Sequence, residues 1–275
     1  MFEKKPKVLK WILTSKATSF FLLAFTMLTA NIYANWIYRF EGDRKLCGEE
    51  YAIPNINENK RLDLISKYLP SDPVVFEAGA HYGGHTANLA NRWPLGSVIS
   101  FEANPAAYIK AQEFTKDIAN SHLFHLAVNT YNGEASFHIC YGSDGKNPVF
   151  EGSSSLLEAS DWMKNNYQGP KVFVPCVVLD DWCEKQGIDH FDFMWLDLEG
   201  VEQQILQASP KILSQVKVIY TETNFREFRK GMTQYKNLKR FLESSGLKLL
   251  AHWYAKDQVG PFQGDAIFVR KELLE

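Results

Sequence analysis

An α/β domain built on a mostly parallel sheet is the fold this sequence predicts, and three observations predict it. From Pro73 onward, short apolar runs alternate with segments of helical spacing. A glycine-rich turn joins the first apolar run to the first helical segment. Acidic residues recur where the apolar runs end, at Glu102, Asp197, Glu199 and Glu222.

The elements follow in order. Leu62, Leu64, Ile65 and Tyr68 give 61–69 helical spacing. Residues 74–78 read as a buried strand and 84–91 as a helix. A strand over 97–101, a helix over 106–118 and a strand over 123–128 continue the alternation. Residues 135–140 alternate in polarity and suit an edge. The valine-rich stretch 171–179 reads as strand and 179–186 as a short helix with Asp180 and Asp181 near its start. Strand 191–196, helix 201–207, strand 216–221 and amphipathic helix 235–244 follow, the last stopped by Gly246. Strands over 247–252 and 266–270 close the sheet. Strand–helix alternation implies right-handed crossovers and parallel pairing. The last two strands have no helix between them, so one is expected to run antiparallel at an edge. Residues 141–168, rich in Gly, Ser and Asn, break the rhythm. So long an insertion is functional or disordered, and its place beside the turn suits a lid.

The turn itself reads Phe76-Glu77-Ala78-Gly79-Ala80-His81-Tyr82-Gly83-Gly84. Gly79 and Gly83 permit backbone angles that other residues avoid and let a ligand approach the main chain. A turn at the carboxyl end of a parallel strand is where open α/β sheets bind nucleotide-like ligands. The spacing is not that of a dinucleotide Gly-x-Gly-x-x-Gly, and no Gly-Lys-Ser/Thr marks a triphosphate loop.

Glu102 ends the second strand, where a carboxylate accepts both hydroxyls of a ribose; the alternative is a charge at a helix N-terminus before Pro105. Asp197 and Glu199 end the strand 191–196. If extended geometry persists through Leu198, both face one cleft, where either can accept a hydroxyl proton or hold substrate. Glu222 stands at the same edge on the next strand. No histidine and no third clear carboxylate is supplied near Asp197 and Glu199 in sequence, so no metal is expected. Among the 7 histidines only His81 falls within the turn, where a loop-shaping or cofactor-contact role suits it better than proton carriage.

Composition bounds the function classes. The chain is 45% hydrophobic and 23% charged, with a net charge of -2 and no basic block in its body. No electrostatic case for nucleic-acid binding follows. Cys47, Cys140, Cys176 and Cys183 are dispersed and fit neither a zinc site nor a dense disulfide framework; buried free thiols are favoured over a Cys176–Cys183 bridge. The N-terminus differs. Five lysines up to Lys16 precede an apolar run over 19–34, with Trp36 and Tyr38 just beyond. A span needs about 20 residues, reached here only if 36–38 are counted. A signal anchor, a cleaved signal peptide ending near Ala34, and a helix lying on a membrane or partner all fit. The basic flank and aromatic end favour an uncleaved anchor. Membrane association through 19–38 is therefore expected, with a linker and entry helix over 39–72 and the main domain over 73–271. The lysines would hold the N-terminus in the cytoplasm and send the domain across the membrane.

A family resemblance then becomes specific. Glu77-Ala-Gly79-Ala-His81-Tyr-Gly83, Glu102-Ala-Asn104-Pro105, Ser153-Ser154-Ser155-Leu156, Trp195-Leu-Asp197-Leu-Glu199-Gly200-Val-Glu202, Tyr220-Thr-Glu222-Thr-Asn224-Phe and Gly264-Asp265-Ala occur in that order. The stretch from Pro73 to Arg270 resembles the FkbM family of methyltransferases. The resemblance implies a Rossmann-like class I methyltransferase fold: a seven-stranded, mostly parallel sheet with one antiparallel edge strand, here preceded by an N-terminal hydrophobic helix. It implies S-adenosyl-L-methionine as cofactor and O-methylation of a glycan, glycolipid or related small-molecule hydroxyl. It implies Glu77, Gly79, His81, Gly83, Glu102, Asn104 and Ser154 at the cofactor, Asp197 and Glu199 in catalysis, and Glu202 and Glu222 at the substrate. The rival reading is a catalytically inactive member of that fold, binding a partner at a membrane. Two departures stand out. Glu77 and His81 replace the Asp and Asn common in the first motif. Trp195 replaces a lysine common two residues before the Asp, which removes a cation near the chemistry.

Overall fold

The computed structural model describes residues 57–146 and 151–274. The expected hydrophobic segment and the linker up to residue 56 lie outside the described residues. Among the described residues no helix is long and apolar enough to cross a membrane.

The strands are β1 (Val74–Ala78), β2 (Ser97–Phe101), β3 (Ser121–Phe124), β4 (Ala127–Val128), β5 (Gly133–His138), β6 (Lys171–Val177), β7 (Phe193–Leu196), β8 (Val218–Asn224), β9 (Leu247–Asp257) and β10 (Gly260–Arg270). The helices are α1 (Glu58–Ser66), α2 (Gly84–Arg92), α3 (Pro105–Thr115), α4 (Leu179–Gln186), α5 (Glu202–Gln207), α6 (Pro210–Gln215) and α7 (Tyr235–Ser244). Seven strands form one sheet in the order β3-β2-β1-β7-β8-β10-β9. β1, β2, β3, β7 and β8 pair in parallel, and only β10 opposes them. The alternation read in the sequence thus gives a Rossmann-like sheet. Its strands are nearly continuous apolar runs: all four residues of β7 are buried, as both faces of a parallel sheet are covered.

Three details depart from expectation. The antiparallel strand is not at the edge. β9 and β10 form a hairpin across Gln258 and Val259, and β10 lies inside, paired to both β8 and β9. The crossover through α7 carries β9 past the open position, and the hairpin fills it. The single strand expected over 123–128 is broken, with Leu126 N–H donating to the Phe124 carbonyl across the break. β3 stays in the main sheet, while β4 joins β5 and β6 in a three-stranded sheet the sequence did not announce. Helix α6 was also unforeseen. Pro210 opens it, and the Asp180 carboxylate accepts from the Lys211 and Ile212 N–H groups at 2.8 and 2.9 Å, a cap supplied from α4.

The core is one large cluster along the sheet, with Phe76 and Phe101 edge-on at 5.1 Å and Phe101 and Trp182 at 4.8 Å. Cys140, Cys176 and Cys183 are buried free thiols. Helix α1 buries Leu62 and Ile65. Its Arg61 donates to the Tyr220 hydroxyl and to Asp265 Oδ2, the latter at 3.1 Å, so the entry helix is tied to β8 and β10. The described parts of the insertion are ordered. Met163 packs with Phe228 and Met232, and Ser160 and Lys230 donate backbone N–H groups across to Phe228 and Glu158. The insertion is therefore held against the loop between β8 and α7.

Candidate active site

β1 has β2 and β3 on one side and β7 and β8 on the other, so the chain changes winding direction at β1. The crevice outside such a switch point is the expected ligand site. A cleft opens there, walled by Phe101, Leu126, Val128, Phe137, Leu156, Leu198 and Val201, with Gly79, His81, Glu102, Glu151, Ser154 and Asp197 supplying its polar lining.

The glycine turn is shaped more by the protein than by any ligand. Gly79 has φ +93°, and a Cβ there would lie 2.1 Å from the Asp197 carbonyl oxygen. Gly83 has φ +82°, and its Cβ would meet Thr115 of α3 at 2.9 Å. Gly79 still borders the cleft, but Gly83 does not; it caps α2 in the left-handed conformation. His81 also has a left-handed φ, of 50°, uncommon without glycine. Its ring stacks on Tyr82 at 3.7 Å, and its Nε2 is buried with no hydrogen-bond partner. Burial lowers its pKa.

Two residues expected at the cofactor stand behind the cleft wall. Glu77 is fully buried and accepts from the Thr86 and Ser100 hydroxyls at 2.5 Å each. It braces the turn from beneath, because the pleat aims it at α2 and β2 and away from the cleft. Asn104 caps α3, its side-chain oxygen accepting from Ala106 N–H at 3.0 Å. Glu102 does reach the cleft. One carboxylate oxygen accepts from the His81 N–H and the other from the Asn104 N–H, both at 2.6 Å. Burial pushes its pKa up to about 7, against the pull of those two donors. Each oxygen keeps a lone pair for a further donor. Ser154 lies on the wall with its hydroxyl already committed, donating to the Glu151 carbonyl and accepting from Cys140 N–H.

Across the cleft, the chain leaves β7 at Leu196. Extended geometry does not persist: Glu199 has φ 55° and Gly200 φ 108°. The sharp turn nevertheless brings Asp197 and Glu199 together, and Glu222 joins them from β8. One carboxylate oxygen of each lies within 4.8 Å of the others. The sequence places Glu222 at the same edge on the next strand, but the expectation of no metal counts only carboxylates local in sequence; sheet order makes Glu222 the third. Asp197 is open to water in the cleft. The protein around it, then Glu199, hold its pKa well above the usual carboxylate range; water in the cleft moderates that rise. Glu199 is 6% exposed, and burial raises its pKa to about 7 although Arg229 opposes the shift. Glu222 is raised by burial and by Glu199; it accepts from the Asn224 and Gln263 side-chain amides.

Glu202 does not face a substrate. It is 1% exposed, and its Oε1 accepts from the Leu198 and Gly200 N–H groups at 3.0 and 3.3 Å. It clamps the turn that presents Glu199. Trp195 stacks on Tyr220 at 4.0 Å within the sheet, and a cation comes from elsewhere. Arg229, buried in the loop after β8, donates to the Leu157 and Ser153 carbonyls and lies 4.8 Å from the Tyr167 ring. Glu151 was likewise unforeseen: it accepts from the Tyr82 hydroxyl and lies 3.7 Å from Lys110 Nζ at the cleft wall. Both sit in irregular segments with no motif to mark them.

Comparison with known proteins gives the family. The family model described as the methyltransferase FkbM domain matches residues 77–249. A curated relative, the 2-O-methyltransferase NoeI of Sinorhizobium fredii, is 26% identical over 185 residues, covering 66% of this chain and 75% of NoeI. Among solved structures, the Methanococcus jannaschii fibrillarin pre-rRNA processing protein is 10% identical with a TM-score of 0.46, covering 74% of this chain and 69% of its own. The N-terminal domain of EvdMO1 with SAH bound is 11% identical with a TM-score of 0.44, covering 78% and 82%. At TM-scores this low the two likenesses bear on neither fold nor ligand. The family match takes in the glycine turn, Glu102, the turn after β7 and Glu222, and the chain belongs to the FkbM methyltransferase domain family.

Proposed function

We propose that this protein uses S-adenosylmethionine to methylate a hydroxyl of a glycan, glycolipid or related small-molecule acceptor. The observation that carries the reading is Glu102, a cleft carboxylate fixed by two backbone donors at the end of β2, in the same cleft as Asp197 of the acidic group. The residues fit the cofactor. Glu102 retains acceptor capacity for a vicinal diol, the unpartnered His81 Nε2 offers a further polar contact, and the apolar walls suit an adenine ring. Bound there, the cofactor supplies an electrophilic methyl group with a neutral leaving group.

The chain then has two tasks. The first is alignment, because a methyl transfer gains most from holding acceptor oxygen, methyl carbon and sulfur in line. The insertion walls one side of the cleft through Glu151, Ser154 and Leu156, and Arg229 holds it in place from the loop after β8. The second is removal of the hydroxyl proton, for which Glu199, beside Asp197, offers an unpartnered oxygen. NoeI is named a 2-O-methyltransferase, which supports oxygen as the acceptor atom. Residues 19–38 we assign to membrane association, on the strength of the lysine-rich flank and aromatic end; fractionation of cells making the full chain or a chain lacking 1–38 tests it.

Calorimetry on the full chain tests the cofactor: S-adenosylhomocysteine binds and NAD does not. Transfer of labelled methyl to a glycan extract, with the product read by mass spectrometry, tests the reaction. Cofactor binding without any methylated product would favour the inactive-member reading.

A further inference from the structure

We propose that Asp197, Glu199 and Glu222 together bind one divalent cation of the magnesium class, on which the acceptor hydroxyl is held. The inference rests on the methyl-transfer reading for its purpose, but not for the site itself.

The geometry is that of a ligand set. A hard cation takes carboxylate oxygens at about 2.0–2.6 Å, so two ligand oxygens on one ion lie at most about twice that distance apart. The three carboxylates offer oxygens within 4.8 Å of one another. They come from two strand ends and a turn, so sheet order assembles the set.

The second observation is an orphaned oxygen. Glu199 is 6% exposed, and its Oε2 is buried without a hydrogen-bond partner. A buried acceptor left unmade is costly. Among the described residues none of the three carboxylates pairs with a lysine, arginine or histidine within ion-pair distance. Arg229, the cation whose field reaches Glu199, spends two of its donors on backbone carbonyls. Asn224 touches Glu222 through its amide nitrogen, while its Oδ1 is buried and unpartnered. Asp197, open to the cleft, gives an ion and an acceptor a way in. Expansion from three protein oxygens to six ligands leaves positions for water and the acceptor oxygen.

A cation there would acidify a coordinated hydroxyl as it does a bound water. The balanced step is simple. The acceptor oxygen forms a bond to the methyl carbon as the carbon–sulfur bond breaks, the electron pair remains on sulfur, and the hydroxyl proton passes to the free oxygen of Glu199. Methyl transfer needs no redox partner.

The test uses Mn2+ as probe, titrated into the full chain without cofactor or acceptor and followed by the loss of the free-ion electron paramagnetic resonance signal. One ion per chain is expected, with affinity falling at least tenfold in Asp197→Asn and in Glu222→Gln. The surface control Glu158→Gln stays within twofold, and circular dichroism confirms that each variant folds. No Mn2+ binding at about 5 mM would mean that protons, not a metal, neutralise the cluster, and would overturn the proposal. So would binding of equal strength in both cluster variants. Because no cofactor is present, Mn2+ binding with no S-adenosylhomocysteine binding would sink only the methyl-transfer reading; the reverse result would sink only this one.

Discussion

The backbone N–H of His81 donates to Glu102 across the mouth of the glycine turn at 2.6 Å. That bond joins the first motif to the end of the second strand. It also fixes the carboxylate that is expected to hold the cofactor's ribose.

Glu102 therefore has a pH signature. Its pKa in the folded chain is about 7, raised by burial, above the unfolded value. Its stabilising contribution is complete below about pH 4.5 and is lost as pH rises through about 7, at a cost of about 3 kcal/mol at most. Ribose hydroxyls donate to the ionised form, so cofactor binding should behave oppositely. Affinity for S-adenosylhomocysteine is expected to rise about tenfold between pH 6 and 8. Glu102→Gln should bind about ten- to a hundredfold more weakly at pH 8 and show no such rise. Calorimetry at three pH values decides; a flat wild-type profile would remove Glu102 from the ribose contact.

Gly79 gives a stability prediction in place of a binding one. A Cβ there overlaps the Asp197 carbonyl oxygen at 2.1 Å, at a φ of +93°. Gly79→Ala must displace β1 from β7, beyond the cost of about 1–2 kcal/mol for the left-handed conformation. A loss of about 3 kcal/mol or more in urea unfolding is expected. Gly84, with open space around its Cβ and no positive φ, is the control: Gly84→Ala should be neutral or stabilising by up to about 1 kcal/mol.

The contrast shows where the sequence was legible. Strands β1, β2 and β7 stand as apolar runs because a parallel sheet buries both faces, and the turn after β1 stood out because left-handed angles select glycine. The carboxylates at strand ends were visible, and so was their common edge. Their close approach was not, since it depends on the sharp turn after β7 and on the pairing of β8 with β7. The roles of Glu77, Asn104 and Glu202 were misread for a related reason. An acid near a turn looks the same in sequence whether it faces a ligand or clamps backbone N–H groups from behind. Arg229 left no signal, because it works through carbonyls in the insertion, and irregular backbone has no period to read.

Arg229 is expected to hold the insertion shut. Its donors tie Ser153 and Leu157 of the insertion to its own loop between β8 and α7. Arg229→Ala leaves two carbonyls without these donors and a void, a loss of about 2–4 kcal/mol. Arg229→Lys keeps the charge but cannot fork to both carbonyls. Proteolysis within 151–168 should therefore accelerate in both variants. Equal resistance in wild type and Arg229→Lys would show that charge alone orders the segment.

Glu199 and Glu202 should separate chemistry from positioning. Glu199 carries the unpartnered oxygen beside Asp197, whereas Glu202 faces inward and accepts from Leu198 and Gly200. Glu199→Gln keeps shape but removes basicity, so methyl transfer is expected to fall about a hundredfold or more with S-adenosylhomocysteine affinity nearly unchanged. Glu202→Ala releases the turn that holds Glu199 at φ 55°; turnover should fall while cofactor affinity stays within a few fold. The two carboxylates differ in their response to amide replacement. Glu202→Gln retains an acceptor oxygen for the Leu198 N–H and should recover most of the turnover lost in Glu202→Ala. Glu199→Gln should recover nothing, because an amide cannot take the proton. If Glu202→Gln is as slow as Glu202→Ala, the charge of Glu202 matters to the chemistry and its role as a clamp is wrong.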